Sequence, residues 1–102
     1  MEMNKPSSNA QFDELIHAPI RLRICASLAP VQWAEFAHLR GILDVADSVL
    51  SKHLKQLADA GYIGIERFTK LGRSHMRVSL TKSGRRAYVS HVAALREITA
   101  GG

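Results

Sequence analysis

The chain has 102 residues, 46% of them hydrophobic, and a net charge of +5, which predicts one domain of ordinary size with a modest core. No apolar run reaches the roughly 20 residues that span a bilayer, so we expect a cytoplasmic protein without a membrane partner. Its single cysteine, Cys25, excludes an internal disulfide and a thiolate-rich metal site.

Basic side chains are concentrated in one part of the chain. The window from residue 52 to residue 86 holds nine Lys and Arg residues and two acids, whereas the rest holds five basic and seven acidic residues. A solubilising surface usually mixes the two signs. The local patch therefore favours a partner with a phosphate backbone.

The N-terminal part begins with a polar stretch over residues 1–10, which we expect to be a disordered tail, and residues 11–100 form the domain. A short apolar segment follows at Phe12 to Ile16. Apolar residues then recur at every fourth position and predict a helix over residues 20–29, with Pro19 suited to its first turn.

A second, shorter helix is predicted over residues 37–43, where apolar side chains again share one face. An extended piece over residues 34–36 precedes it. Asp44 follows in a turn, and Asp is one of the residues that adopt a left-handed conformation with little strain.

The third helix is predicted over residues 47–60. Asp47, or Ala46 before it, marks its start, with Asp47 chemically the better N-cap, and Gly61 is its C-terminal cap residue. At about 100° per residue, three leucines form one face and the serines and lysines the other. No acid occurs between Asp47 and Asp59, so the polar face suits a negatively charged partner. The leucines of the buried face are Leu50, Leu54 and Leu57.

The C-terminal part is predicted to hold a hairpin and a last helix. Residues 62–68 and 76–80 alternate apolar and polar side chains as strands do, and residues 69–75, TKLGRSH, form a polar loop between them. Thr81 is a good N-cap for a helix over residues 82–98.

This order of elements predicts a mainly α fold with a small β-hairpin, a winged helix-turn-helix. In that architecture the third helix enters the major groove and the hairpin loop, the wing, contacts the backbone or an adjacent minor groove. Serine hydroxyls and lysine ammonium groups suit base edges and phosphates. The residues predicted from this pattern are Ser48, Ser51, Lys52 and Lys55 of the helix and Lys70, Arg73, Ser74, His75 and Arg77 of the wing.

Three stretches resemble a known family. HAPIRLRICASL is similar to the first helix of short winged-helix transcriptional regulators of a MarR-like group, and LSKHLKQLADAGYI and LTKSGRRA are similar to their third helix and the start of their last helix. ArsR-type repressors share the middle stretch. The resemblance covers about residues 12–98 and implies a homodimeric, nucleoid-associated DNA-binding regulator in which Asp47 and Val49 also face DNA. Asp44, Ala46, Ser48 and Val49 depart from the usual pattern, so the operator is not transferred.

The last helix has two interpretations. Its apolar face either covers the first helix of the same protomer or forms a two-fold dimer interface, and the small core favours the dimer. Half-sites about 10 base pairs apart would follow. The residues predicted for the interface are Phe12, Leu15, Tyr88, Val92, Leu95 and Ile98.

Other functions were weighed against DNA binding. Five histidines invite a metal sensor, but His91 and Glu97 of the last helix do not share a face, so no metal or other cofactor is predicted. No catalytic arrangement or Gly-rich phosphate loop is recognisable, so no enzymatic activity is predicted. A winged helix that binds a protein, through Leu71 and Trp33, is the main alternative. Repression is the default mode, and a dimer crevice between the first and last helices is a candidate site for a small apolar effector that the sequence does not identify.

Overall fold

The computed structural model describes residues 10–101, so the predicted tail lies, apart from residue 10, outside the described residues. The element order confirms the predicted winged helix-turn-helix, mainly α with a small antiparallel sheet. No helix in the described range is long and apolar enough to cross a membrane. The elements are α1 (Glu14–His17), α2 (Pro19–Leu28), β1 (Ala34–Glu35), α3 (Phe36–Leu43), α4 (Asp47–Asp59), β2 (Ile63–Lys70), β3 (Arg73–Leu80) and α5 (Lys82–Gly101).

The N-terminal apolar segment, for which no conformation is predicted, contains a single helical turn, α1. Asp13 caps it, because its Oδ1 accepts a hydrogen bond of 2.9 Å from the amide of Ile16. Pro19 occupies the first turn of α2, as predicted, since a proline there has no amide that needs a partner. The helix begins and ends one residue earlier than the predicted range 20–29.

The extended piece before α3 is a third strand of the sheet. In β1, Ala34 pairs with Val78 and Glu35 pairs with Arg77, which gives the strand order β1-β3-β2. Because β1 ends at Glu35, α3 begins at Phe36, one residue earlier than predicted. Asp44 caps α3 in the left-handed conformation, with φ 55°.

Both ends of α4 depend on backbone conformation. Of the two candidate N-caps, the preferred Asp47 is wrong and the alternative is observed: Ala46 has the extended cap conformation, and Asp47 is the first helical residue. A carboxylate there still complements the helix dipole. At the other end Gly61, with φ 79°, lies in a Schellman motif, because its amide bonds to Ala58 and that of Tyr62 bonds to Leu57.

The hairpin has a tighter turn than predicted. Residues 69–75 are not a loop, because β2 and β3 pair as far as Lys70 and Arg73. Only Leu71 and Gly72 connect the strands, with φ of 54° and 76°. Two consecutive positive φ angles match the right-handed twist of the strands, which favours such two-residue turns.

The start of α5 is attached to the turn that follows α4. Thr81 caps α5 as predicted: its hydroxyl accepts from the Gly84 amide at 2.9 Å and donates to the Gly61 carbonyl at 2.7 Å. Gly84 lies directly against Tyr62, where a Cβ would be 1.9 Å from the carbonyl oxygen. The helix continues to Gly101, three residues beyond the predicted end.

The core lies between the helices and the inner face of the sheet. The leucine face of α4 is fully buried, as the helical period predicts. Cys25 is also fully buried, and burial raises the pKa of its thiol to about 11, which suits an unreactive core residue. The residues of the core are Ile16, Ile24, Cys25, Leu28, Ala34, Leu39, Leu43, Leu50, Leu54, Leu57, Ile63 and Val78.

Candidate nucleic-acid interface

The polar face of α4 is exposed, opposite the buried leucines. Ser48, Ser51 and Lys52 are all open to solvent, and so is Val49. Lys55 pairs with Asp59 one turn later, with 3.0 Å between Nζ and Oδ2. Such an exposed pair contributes little and exchanges readily with a phosphate. The face can therefore meet a ligand without rearrangement of the core.

The first residue of α4 is connected to α3. Asp47 Oδ1 lies 3.2 Å from Nη1 of Arg40, so the two helices of the helix-turn-helix share an ion pair at the turn. Both side chains are largely exposed, which makes the pair weak. Asp47 was predicted to face DNA, and the ion pair reduces the repulsion that its carboxylate would exert on phosphates.

Arg21 holds the inner flank of α4 in position. Its Nη1 donates to Gln56 Oε1 at 2.6 Å and lies 3.0 Å from Nδ1 of His53, while its Nε donates to the carbonyl of Leu15. Burial, and then the Arg21 charge, lowers the pKa of His53. The neutral ring can accept a hydrogen bond at Nδ1 from the guanidinium of Arg21, which keeps its charge. One guanidinium thus connects α1, α2 and α4.

Two predicted wing residues share one carboxylate. Lys70 Nζ lies 3.7 Å from Glu35 Oε2, and His75 Nδ1 lies 3.2 Å from Glu35 Oε1. Arg73 and Ser74, next to the turn, are exposed. The wing therefore presents cationic groups at its end while part of its charge is paired with β1.

Arg77 occupies the outer face of the sheet. Its Nε donates to Glu66 Oε1 at 2.9 Å, and its guanidinium lies 5.0 Å from the ring centres of both Trp33 and Phe68. These contacts stabilise the arginine where it is. A DNA contact from Arg77 stays a prediction.

Arg67 is a wing residue that the sequence reasoning did not select. It is exposed and stands opposite Met76 in the ladder, on the same side of the hairpin as Ser74. Arg67 and Ser74 line a cavity of about 260 Å³ that reaches the start of α3 at Phe36. The sequence feature that could have identified Arg67 is its position in the basic window of residues 52–86. The alternation of strand residues then puts it on the helix side of the hairpin.

The residues predicted for a dimer interface fall into two groups. Phe12 and Ile98 are exposed, Ile98 with 61% of its surface open. Leu15 and Tyr88 pack against the core of the same protomer, and Val92 and Leu95 are half-buried. The first part of α5 therefore covers its own domain, which is one of the two interpretations of its apolar face. The end of α5, at residues 96–101, is exposed and can contact a second protomer.

A network of polar groups fastens the N-terminal segment to α5. His91 is fully buried; its Nδ1 accepts from the Asp13 amide at 2.9 Å, and its Nε2 lies 3.3 Å from His17 Nδ1. The Tyr62 hydroxyl donates to Asp13 Oδ2 at 2.6 Å, which with burial raises the Tyr62 pKa to about 12. Burial, and then His17, lowers the pKa of His91.

The hydrogen bonds of His91 determine its tautomer. Because Nδ1 accepts an amide proton, the neutral ring carries its own proton on Nε2 and donates it toward His17. A metal bound at Nε2 would need the opposite tautomer. Within residues 10–101, no group of three or more His, Cys, Asp or Glu side chains is arranged to hold a metal ion.

A small cavity lies between the N-terminal segment and α5. It has a volume of about 240 Å³, and its wall includes Asp13, Tyr62 and Arg86. The predicted effector crevice lies between two protomers, so this polar cavity within one protomer does not test it. An effector stays a prediction.

Comparison with known proteins identifies the family. Residues 20–99 match the family model described as a winged helix DNA-binding domain. The chain belongs to this family. The matched residues run from α2 to residue 99 in the last turn of α5 and include the exposed face of α4 and the wing.

The winged helix domain is also similar to other proteins along most of its length. The uncharacterized protein MJ0432 of Methanocaldococcus jannaschii is 24% identical over 86 residues, covering 84% of this chain and 94% of that protein. A transcriptional regulator homologue from Pyrococcus horikoshii has a TM-score of 0.81 at 22% identity, covering 87% of this chain and 88% of that one.

A MarR family member shares the fold as well. The zinc-responsive ZitR of Lactococcus lactis has a TM-score of 0.60 at 20% identity, covering 99% of this chain and 65% of ZitR. The resemblance to short MarR-like winged-helix proteins is thereby confirmed for the fold.

Proposed function

We propose that the protein is a sequence-specific, double-stranded DNA-binding transcriptional regulator that acts as a homodimer. The observation that carries the proposal is the exposed face of α4, which has no acid between Asp47 and Asp59 and stands on a fully buried leucine face. A helix held this firmly presents its polar side chains at fixed positions, as readout of base edges in the major groove requires.

The contacts divide into two kinds. Short side chains at Ser48 and Ser51 and the longer Lys52 approach base edges, where hydroxyls and ammonium groups discriminate between bases. Lys55 and the wing residues bind phosphates, which fix the register on the duplex without reading the sequence. The proposed DNA-facing residues are Asp47, Ser48, Val49, Ser51, Lys52, Lys55, Lys70, Arg73, Ser74, His75 and Arg77, with Arg67 added on the helix side of the wing.

The homodimer is proposed from α5. A helix of 20 residues spans about 30 Å, and its last six residues are exposed, with Ile98 among them. A second copy packed two-fold on this end and on Phe12 would bury both apolar side chains and present two α4 helices to a pseudo-palindromic site. Repression is the simplest mode, because a bound dimer blocks polymerase without a further domain.

Selection of bound duplexes from a random pool tests the proposal. The wild-type protein should enrich a two-fold related sequence with half-sites about 10 base pairs apart. Ser51→Ala and Lys52→Ala should change the enriched bases, whereas Arg73→Ala should weaken binding to all sequences alike. Arg23→Ala, which is exposed on α2 and lies outside α4, the wing and the exposed end of α5, is the control for the loss of a surface arginine. Recovery of an unenriched pool by the wild type would refute sequence-specific readout.

A winged helix that binds a protein is the second candidate. Val31, Trp33 and Ile42 are exposed around a cavity of about 460 Å³ between α2 and α3, and Leu71 is 94% exposed at the end of the wing. Salt dependence separates the two functions. DNA binding loses affinity with a log–log slope of about −0.9 per neutralised phosphate. Duplex binding that does not respond to salt would favour the protein partner.

A further inference from the structure

The carboxylate of Glu35 lies between two cationic groups of the wing. The ladder places Glu35 opposite Arg77, on the outer face that also carries Phe68 and His75. Its two oxygens approach Nζ of Lys70 and Nδ1 of His75, at 3.7 Å and 3.2 Å, and its side chain is only 26% exposed. One anion therefore takes up two of the groups that would otherwise meet DNA.

These contacts define a place for an anion. A carboxylate only accepts hydrogen bonds, and the His75 tautomer with its proton on Nδ1 places a donor 3.2 Å from Glu35 Oε1. A phosphate oxygen accepts from the same donors. Arg73 stands opposite Lys70 in the backbone pairing of the hairpin, next to the turn, and its side chain is exposed. An ammonium, an imidazole and a guanidinium thus follow one another along the end of the wing.

The contact with Lys70 is suited to exchange. At 3.7 Å it is long for an ion pair, and 57% of the lysine side chain is exposed. An exposed pair of this kind contributes little to stability, so a strong anion can replace the carboxylate. Arg77 differs, because two aromatic rings hold it in addition to Glu66.

We infer that Glu35 is an intramolecular competitor of the DNA backbone: its carboxylate occupies the phosphate site formed by Lys70 and His75 and lowers the affinity of the wing for duplex DNA. This inference rests on the proposed function. It differs from a purely structural role of Glu35 in the direction in which the affinity for DNA changes when the carboxylate is removed. A brace makes binding weaker when it is removed, whereas a competitor makes binding tighter.

The test measures binding of Glu35→Gln to a labelled random-sequence duplex by fluorescence anisotropy, from low to high salt. Glutamine keeps the shape and one acceptor for His75 but removes the charge. We expect about threefold to tenfold tighter binding near 0.1 M salt and a log–log slope steeper by about 0.9, since one more cation then meets a phosphate. Equal melting temperatures show that the fold is unchanged.

Glu66→Gln is the matched control, because it removes the other carboxylate of the same face. Its partner Arg77 stays held by Trp33 and Phe68, so binding should change by less than about twofold, with an unchanged slope. Lys70→Gln should weaken binding more in the E35Q background than in the wild type, because only there is Lys70 free of its carboxylate.

Weaker or unchanged binding by Glu35→Gln, with the wild-type slope, would overturn the inference and leave the proposed function intact. A wild-type protein that binds no duplex at any salt would instead refute the proposed function. In that case the His75 ring resonances, followed by NMR during titration with tripolyphosphate, decide the part of the inference that does not depend on DNA, namely that the carboxylate of Glu35 occupies a phosphate site. Half-saturation at a lower concentration in Glu35→Gln than in the wild type supports it, and equal values overturn it.

Discussion

Replacement of Gly84 by alanine should destabilise the protein although alanine is the better helix former. The glycine is buried in the first turn of α5, directly against the backbone of Tyr62. An added Cβ would lie 1.9 Å from the Tyr62 carbonyl oxygen, 2.7 Å from its carbonyl carbon and 2.9 Å from its Cα. These atoms belong to the backbone between α4 and β2, so no side-chain rotation relieves the overlap.

The magnitude follows from two opposing effects. Alanine favours the helix by about 0.5–1 kcal/mol over glycine. Relief of the overlap requires α5 to move from Tyr62 by more than an ångström, and overpacking of a tight contact costs about 1–3 kcal/mol, occasionally more. Since the obstacle is backbone, we place the cost at the upper end and expect a net loss of about 2 kcal/mol or more in the free energy of unfolding.

Urea unfolding at one fixed protein concentration measures this difference. Gly41→Ala is the matched control, because Gly41 lies within α3 and nothing approaches its Cβ position within 4 Å. That variant should gain about 0.5–1 kcal/mol. A Gly84→Ala protein as stable as the wild type, with the same slope in urea, would refute the packing argument.

Three further outcomes can be measured. Burial lowers the pKa values of His53 and His91 in the folded protein, so the unfolded chain binds more protons below the ordinary pKa of 6.5. The free energy of unfolding should therefore fall as the pH decreases through 6.5, as measured by denaturant titrations at successive pH values. His53→Gln, which keeps an acceptor for Arg21, should show a shallower loss. Cys25 should react with a thiol reagent only as fast as the protein unfolds, because its thiol is buried and its pKa is about 11, and rapid labelling of native protein would contradict this. Thr81→Ala should cost about 0.5–2 kcal/mol, as measured by thermal or urea unfolding, because the cap of α5 is lost; Thr81→Ser should restore most of it.

Local chemistry accounts for the parts of the fold that were predicted correctly. The spacing of leucines in α4, the glycine after it and the threonine before α5 each act within a few residues. Helical period, caps and positive φ are properties of short segments. For that reason the order of helices and the hairpin could be predicted without tertiary information.

The wrong predictions share a different cause. Asp47 is chemically the better cap, yet Ala46 takes that position, while Asp47 pairs with Arg40 of α3. The wing was predicted as a loop because TKLGRSH is polar, but the strands pair through it and leave a two-residue turn. In both places the structure depends on a partner from another segment, which composition does not reveal.

The sequence alone determined that this chain folds into helices and a hairpin, that α4 has one apolar and one acid-free face, and that the positive charge is concentrated around that face. Only the tertiary structure decided which of those charges are available. Glu35 pairs with Lys70 and His75 because β1 joins the sheet beside β3, and the neutral His91 ring carries its proton on Nε2 because the amide of Asp13 donates to Nδ1. Such contacts join residues tens of positions apart, and their geometry is established only when the core has brought the elements together.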